Sequence, residues 1–198
     1  AMDLAEDSRE KEWASASFVA EIFRGNFRWE LISLFPEQDP DDKKIGDDYI
    51  AKLKDVLERT LDPEKVDREG IVPQEVVVAL GEIGAFGIKI PKEYGGLGMS
   101  QMNYTRVVAF MASYCASTAS LVSAHQSIGV PQPIKLFGTP EQKQKYLPRL
   151  ARGEVSDFAL TEPGAGPDPA KLTNTDPPTE DGTHTLINAE QLWVPTGP

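Results

Sequence analysis

Two short segments hold the residue types that chemistry on a large ligand would need. Phe158-Ala159-Leu160-Thr161-Glu162-Pro163-Gly164-Ala165-Gly166 reads as a short strand running into a glycine-rich turn. Such a turn exposes backbone amides and lets a bulky anionic ligand approach without side-chain clash. Alone it is ambiguous, because a strand-to-loop corner with two glycines also serves simply to turn the chain. Leu186-Ile187-Asn188-Ala189-Glu190-Gln191-Leu192-Trp193 then sets a flat aromatic at the end of a second strand. An isolated tryptophan there is more commonly a core residue than a cofactor wall. The pairing changes that reading. A hydroxyl-bearing strand end at Thr161 and an aromatic one at Trp193, about thirty residues apart along antiparallel strands, can meet across one cleft and sandwich a planar ring.

The other reactive side chains read as structural. Glu162 is a turn-stabilising acceptor rather than a catalytic base. His125 lies between helical segments with no companion His or Cys, which fits a packed or capping histidine. His184, in a polar strand after Gly182, is expected to face solvent. Two histidines and one cysteine give no zinc-site spacing, and no phosphate-binding loop or dinucleotide glycine fingerprint occurs. The single cysteine, Cys115, cannot form an internal disulfide and sits in the apolar run from Phe110 to Leu121 as a small core residue.

These segments must be held by helices. Trp13, Ala16, Val19, Ala20 and Phe23 are spaced as one apolar helical face, which Gly25 and Asn26 end. The stretch from Phe27 to Ile32, leading to Phe35-Pro36, is expected to be an irregular arm. Asp39-Pro40 starts a helix with Ile50, Leu53 and Leu57 along one stripe, and Asp62-Pro63 ends it. Another begins near Val72-Pro73 and carries Val76, Val77, Leu80 and Ile83. Ile88-Lys89-Ile90-Pro91 reads as extended, followed by the turn Tyr94-Gly95-Gly96-Leu97-Gly98. From Ser100 one long helix is expected through Tyr104, Val107, Val108, Met111 and Ala112, continuing along the small residues Ala116 to Ser120. Thr139-Pro140-Glu141-Gln142 is a capping box opening a helix that Gly153 stops. Beyond residue 156 the content turns strand-like, with Asp181-Gly182 as a hairpin turn. The expected fold class is α+β, with residues 1–38 a helix and arm, 39–155 a helical domain, and 156–198 the start of a β domain.

Twenty basic against 31 acidic residues give a net charge of −11, which disfavours a diffuse grip on nucleic acid or anionic lipid. No stretch approaches the roughly 18 apolar residues of a membrane span. The charged opening from Ala1 to Glu12 fits neither a secretory signal nor a basic transit peptide. The expected location is cytoplasmic, or the mitochondrial matrix if a transit peptide has been removed.

Four ordered blocks resemble the acyl-CoA dehydrogenase family. Leu160-Thr161-Glu162-Pro163-Gly164-Ala165-Gly166 resembles the signature that opens that family's middle β domain, and Trp193-Val194-Pro195-Thr196-Gly197 its second flavin-contacting strand. Gly87 to Gly98 resembles the family's helical-domain turn. His125 with Ile128-Gly129, then Phe137 to Pro148, is similar to the segment before the β domain. The resemblance runs from about Val72 to Gly197.

It implies FAD as cofactor, with Phe158, Leu160, Thr161, Trp193 and Thr196 at the flavin, and Gly166 and Pro167 at the phosphate-bearing ligand. It implies α,β-dehydrogenation of an acyl-CoA thioester, in which a carboxylate takes the α-proton and the flavin the β-hydride. That base lies in the family's carboxy-terminal domain, so no catalytic residue is expected in this chain and little turnover from it alone. An electron-transfer flavoprotein as partner and a homo-oligomer at full length are further implications. Three positions depart from the pattern. Pro167 stands where a serine is usual, Pro195 where a Thr or Cys is usual, and Ala189 where a glycine is common. Losing two or three hydrogen bonds of roughly 1 kcal/mol each weakens cofactor binding by tens to thousands of fold. A flavin-less scaffold homologue, or a flavin oxidase or monooxygenase on the same fold, are the alternatives.

Overall fold

The computed structural model describes residues 16–33, 37–166, 168–175 and 177–194. Trp13, Phe35, Pro36, Pro167, Pro195 and Thr196 lie outside them. The chain divides into two compact units, Ala1–Asp39 and Pro40–Pro198. In the first, α1 (Phe18–Phe23) is capped by Ser17, whose hydroxyl accepts from the Ala20 amide. Gly25 ends this segment at φ +83°. Phe27 packs edge-on to Phe18 and stacks on Trp29. Val19 and Phe23, on the expected apolar face, are exposed.

The second unit opens with α2 (Pro40–Thr60). Leu53 and Leu57 are fully buried, and Ile50 packs beside them. Asp62 does more than stop the chain, because it also caps α3 (Pro63–Glu69), a short helix with no apolar repeat long enough to announce it. Next, α4 (Gln74–Glu82) buries Val76 and Leu80 against α2.

The stretch expected to be extended coils instead. Ile88 is helical at φ −53°, ψ −44°. The left-handed Gly84 and the tight turns after it bury Ala85, Phe86, Gly87 and Ile88 in succession, which a strand with alternate residues facing in and out cannot do. Its carbonyls are satisfied by the following glycine turn, with Leu97, Gly98 and Met99 amides donating to Gly87, Ile90 and Ile88. At Gly96 an added Cβ would sit 2.1 Å from the Ile90 carbonyl oxygen.

The long central helix is two. α5 (Gln101–Tyr114) and α6 (Ala116–Ser127) are separated by Cys115, extended at φ −156°, ψ 115°. The break turns the chain so that α5 and α6 pack on each other, which one straight rod cannot do. Cys115 itself is buried, as expected. A polar joint holds α5 to α2. The buried Asn103 donates to the Asp42 carbonyl at 2.6 Å and to its carboxylate at 3.0 Å, and the Ser100 hydroxyl donates to the same carboxylate at 2.7 Å. Arg106 pairs with Asp47. Gly46 permits this approach, since a Cβ there would collide with the Asn103 side chain. Then come α7 (Pro131–Phe137), hidden in sequence by its two prolines, and α8 (Pro140–Ala151) with both halves of the Thr139/Gln142 capping box formed.

Gly96→Ala is expected to lower the unfolding free energy by about 2–3 kcal/mol, since backbone rather than a flexible side chain blocks the methyl group. Gly164→Ala, where an added Cβ meets nothing within 4 Å, is expected to change it by less than about 0.5 kcal/mol. Denaturant unfolding of the two variants checks this, and equal losses would contradict the packing described.

Candidate functional site

After Gly153, at φ +99°, the chain leaves the helices. Among the described residues the strand-like stretches form isolated antiparallel bridges rather than continuous strands. Pro178 pairs with Thr185 and Thr175 with Asn188, in one register centred between Asp181 and Gly182. The Leu186 amide donating to the Pro177 carbonyl keeps that register. The turn is set as expected. Gly182 is left-handed, and the Asp181 carboxylate accepts from the Thr179 hydroxyl and from both the amide and hydroxyl of Thr183. These three donors hold the Asp181 carboxyl down at about 2. His184 is exposed.

The far arm of this hairpin reaches the glycine-rich segment. Thr161 bridges Leu192, whose amide donates to the Thr161 carbonyl at 2.8 Å. With its amide turned so that the nitrogen faces the carbonyls, the one orientation that satisfies both ends, Gln191 donates to Leu160 at 3.0 Å and Thr161 at 3.1 Å and accepts from Asn174. Between Thr161 and Thr173 the chain makes an excursion whose neck is closed by Glu162. This carboxylate, 3% exposed, accepts from the Thr173 amide and hydroxyl, both at 2.8 Å, and from the Asn174 amide at 3.2 Å. These bonds, the Thr173 amide foremost, hold its pKa below the usual glutamate value. It is a clasp with its acceptor capacity engaged. Gln191, Thr173 and Asn174 were not legible as site residues, because a polar side chain bridging backbone groups leaves no periodic trace.

The structure thus brings the ends of the two segments together. Phe158 is about half-exposed, Leu160 and Thr161 are partly buried, and Trp193, one residue past the bridge, is 85% exposed with left-handed φ of 58°. Gly166 is left-handed and closes the turn on Glu162. Gly164 is open to solvent. An unburied indole thus follows directly on the residue that bridges Thr161, and an added Cβ at Gly164 or Gly166 would meet nothing within 4 Å. Thr196 and Pro167 are outside the described residues.

His125 is fully buried on α6. Its Nε2 lies 3.2 Å from the Leu150 carbonyl, which can only accept, so Nε2 carries the proton. Nδ1 is then an acceptor, and the Ser156 amide donates to it at 3.1 Å. Phe86 packs edge-on at 5.5 Å. Burial pushes its pKa down, so the ring is neutral. This is the packed histidine expected. Among the described residues no group of three or more His, Cys, Asp or Glu is placed to hold a metal, and no helix is long and apolar enough to cross a membrane.

The acyl-CoA dehydrogenase N-terminal domain profile matches residues 47–154, more than half of the chain, and reaches through α3 into α2, upstream of the motifs. The chain is 44% identical to the probable acyl-CoA dehydrogenase FadE10 of Mycobacterium tuberculosis, over 98% of this chain and 30% of that protein. It resembles butyryl-CoA dehydrogenase from Megasphaera elsdenii at TM-score 0.69 and 31% identity, over 81% of this chain and 42% of the other. It resembles an acyl-CoA dehydrogenase complexed with FAD from Bacillus anthracis at TM-score 0.68 and 31% identity, over 80% and 27%. The chain spans less than a third of the curated relative's length. Profile, sequence identity and fold agree: the chain belongs to the acyl-CoA dehydrogenase family.

Proposed function

We propose that the polypeptide carrying this chain is an FAD-dependent dehydrogenase that oxidises acyl-CoA thioesters to enoyl-CoA. The observation that carries the reading is the Thr161–Leu192 bridge, which sets the exposed Trp193 beside the signature segment. Bound FAD supplies the hydride acceptor. In this reading Phe158, Leu160, Thr161, Trp193 and Thr196 line the flavin, with Trp193 as its wall and Thr161 as its hydrogen-bonding edge. Gly166 and Pro167 shape the approach of the phosphate-bearing ligand. Residues 156–198 open a β domain, and the general base lies on a segment outside this chain. An electron-transfer flavoprotein is the proposed oxidant of the reduced cofactor.

Glu162 serves the site by clasping the excursion loop. Its lowered pKa means the carboxylate's contribution to stability is full above the ordinary glutamate value of 4.5 and is lost as pH falls through the folded value. Glu162→Gln is expected to speed amide exchange at Thr173 and Asn174 and to weaken FAD binding about tenfold. Turnover at saturating FAD should stay within about threefold, because a general base would contribute at least about a hundredfold. A loss of that larger size with FAD affinity intact would make Glu162 a base and contradict the clasp.

The visible absorption spectrum of the longest polypeptide carrying this chain tests the function, followed by anaerobic addition of acyl-CoA thioesters of graded length. Flavin bands that bleach with a saturated acyl-CoA are expected. A colourless protein that takes up no added FAD would favour the flavin-less alternative that Pro167 and Pro195 motivate. Bands that never bleach under any thioester would favour different flavin chemistry on this fold.

A further inference from the structure

His125 is a buried titratable group that the proposed chemistry does not use, yet its bonds reach the segment that the chemistry depends on. The ring stands where three parts of the chain meet. It projects from α6, donates through Nε2 to the Leu150 carbonyl near the end of α8, and accepts through Nδ1 from the Ser156 amide. Ser156 is gripped further by its hydroxyl, which lies 3.2 Å from the same Nδ1 and accepts from the Val130 amide at 3.2 Å just ahead of α7. Gly129 makes room for this contact. A Cβ there would lie 2.9 Å from the Ser156 carbonyl oxygen and 2.5 Å from that of His125.

Ser156 stands two residues before Phe158 and five before Thr161. In an extended chain successive side chains point to opposite faces, so fixing the amide direction at Ser156 fixes which face Phe158 and Leu160 present. Downstream, the same segment is fixed by the Leu192 amide on the Thr161 carbonyl and by Gln191 on the Leu160 carbonyl. Upstream, Gly153 at φ +99° turns the chain out of α8, its amide donating to the Leu150 carbonyl.

We propose that His125 is a positioning residue for the flavin-facing segment, setting the direction of residues 156–161 through the acceptor bond that neutral Nδ1 makes to the Ser156 amide. This rests on the flavin reading above. The Leu150 bond serves it indirectly, because donating from Nε2 leaves Nδ1 unprotonated and able to accept. Two near-isosteric variants separate the bonds. His125→Asn puts an amide oxygen close to the Nδ1 position and keeps the acceptor for Ser156 while losing the donor to Leu150. His125→Gln reaches the Nε2 position with an amide nitrogen, keeping the Leu150 bond and leaving the Ser156 amide unpaired.

The test is FAD titration of the longest polypeptide carrying this chain, in wild-type and both variant forms, with amide hydrogen exchange of residues 156–161 alongside. Expected is FAD affinity within about threefold of wild type for His125→Asn, and about tenfold or more weaker for His125→Gln with faster exchange confined to residues 156–161. Equal affinity and exchange in both variants, or equal loss in both, would assign His125 to core packing alone and overturn the proposal. Should His125→Gln fail to fold, Ser156→Ala decides. It keeps the amide bond to Nδ1 while removing the hydroxyl's contacts with Nδ1 and the Val130 amide, and is expected to bind FAD within about threefold of wild type, whereas a tenfold loss would make the hydroxyl rather than the amide bond the anchor and overturn the proposal. A wild-type protein that binds no FAD sinks the flavin reading instead, and the exchange pattern of the two variants still judges His125.

Discussion

The hydrogen bond from the Leu192 amide to the Thr161 carbonyl joins two segments that lie far apart in sequence, and the candidate site exists only where they meet. Neither half is distinctive alone. The glycine turn could be any corner, and an exposed indole in a left-handed conformation would be an unexplained cost in an isolated domain. Joined, they bring the backbone of the glycine-rich segment against that of the residue preceding Trp193. Closing so wide a loop costs entropy that one backbone bond cannot offset. The Gln191 bridge, the Glu162 clasp and the Asp181-Gly182 hairpin share that cost.

The helices supply what the β segment lacks, which is a buried core. Leu53, Leu57, Leu80, Phe86, Met111 and Val122 are all fully enclosed, whereas Leu186, Ile187 and Trp193 are largely exposed. Each fully buried side chain of that size contributes roughly 1.5–3 kcal/mol, so the helical part holds most of the folding energy. The glycine-rich segment is carried out from it as an arm anchored at Ser156. A rigid scaffold presenting an irregular loop is the usual division of labour for a binding site.

Much of the scaffold was legible because its signals are local. The stripe of α2, the Thr139/Gln142 box and the glycines at 95, 98 and 153 depend on neighbours three or four residues away, and each formed as read. What failed depended on tertiary context. Ile88 and Ile90 have β propensity but coil because the run Ala85 to Ile88 is buried at every successive position, and α5 and α6 divide at Cys115 because the two halves pack on each other. In the site, the aromatic and the glycines could be read by type. Glu162, Gln191 and Ser156 act through bonds to backbone groups up to 31 residues away, and nothing in their immediate sequence marks that use.

The central claim is that Thr161 and Trp193 together bound one flavin site. A crystal structure of the longest polypeptide carrying this chain, grown with FAD, tests it most directly. The account predicts the isoalloxazine ring in van der Waals contact, within about 4 Å, with both Thr161 and the Trp193 indole, and the Leu192–Thr161 bond intact. A flavin seated elsewhere, with Thr161 and Trp193 apart or facing solvent, would contradict it.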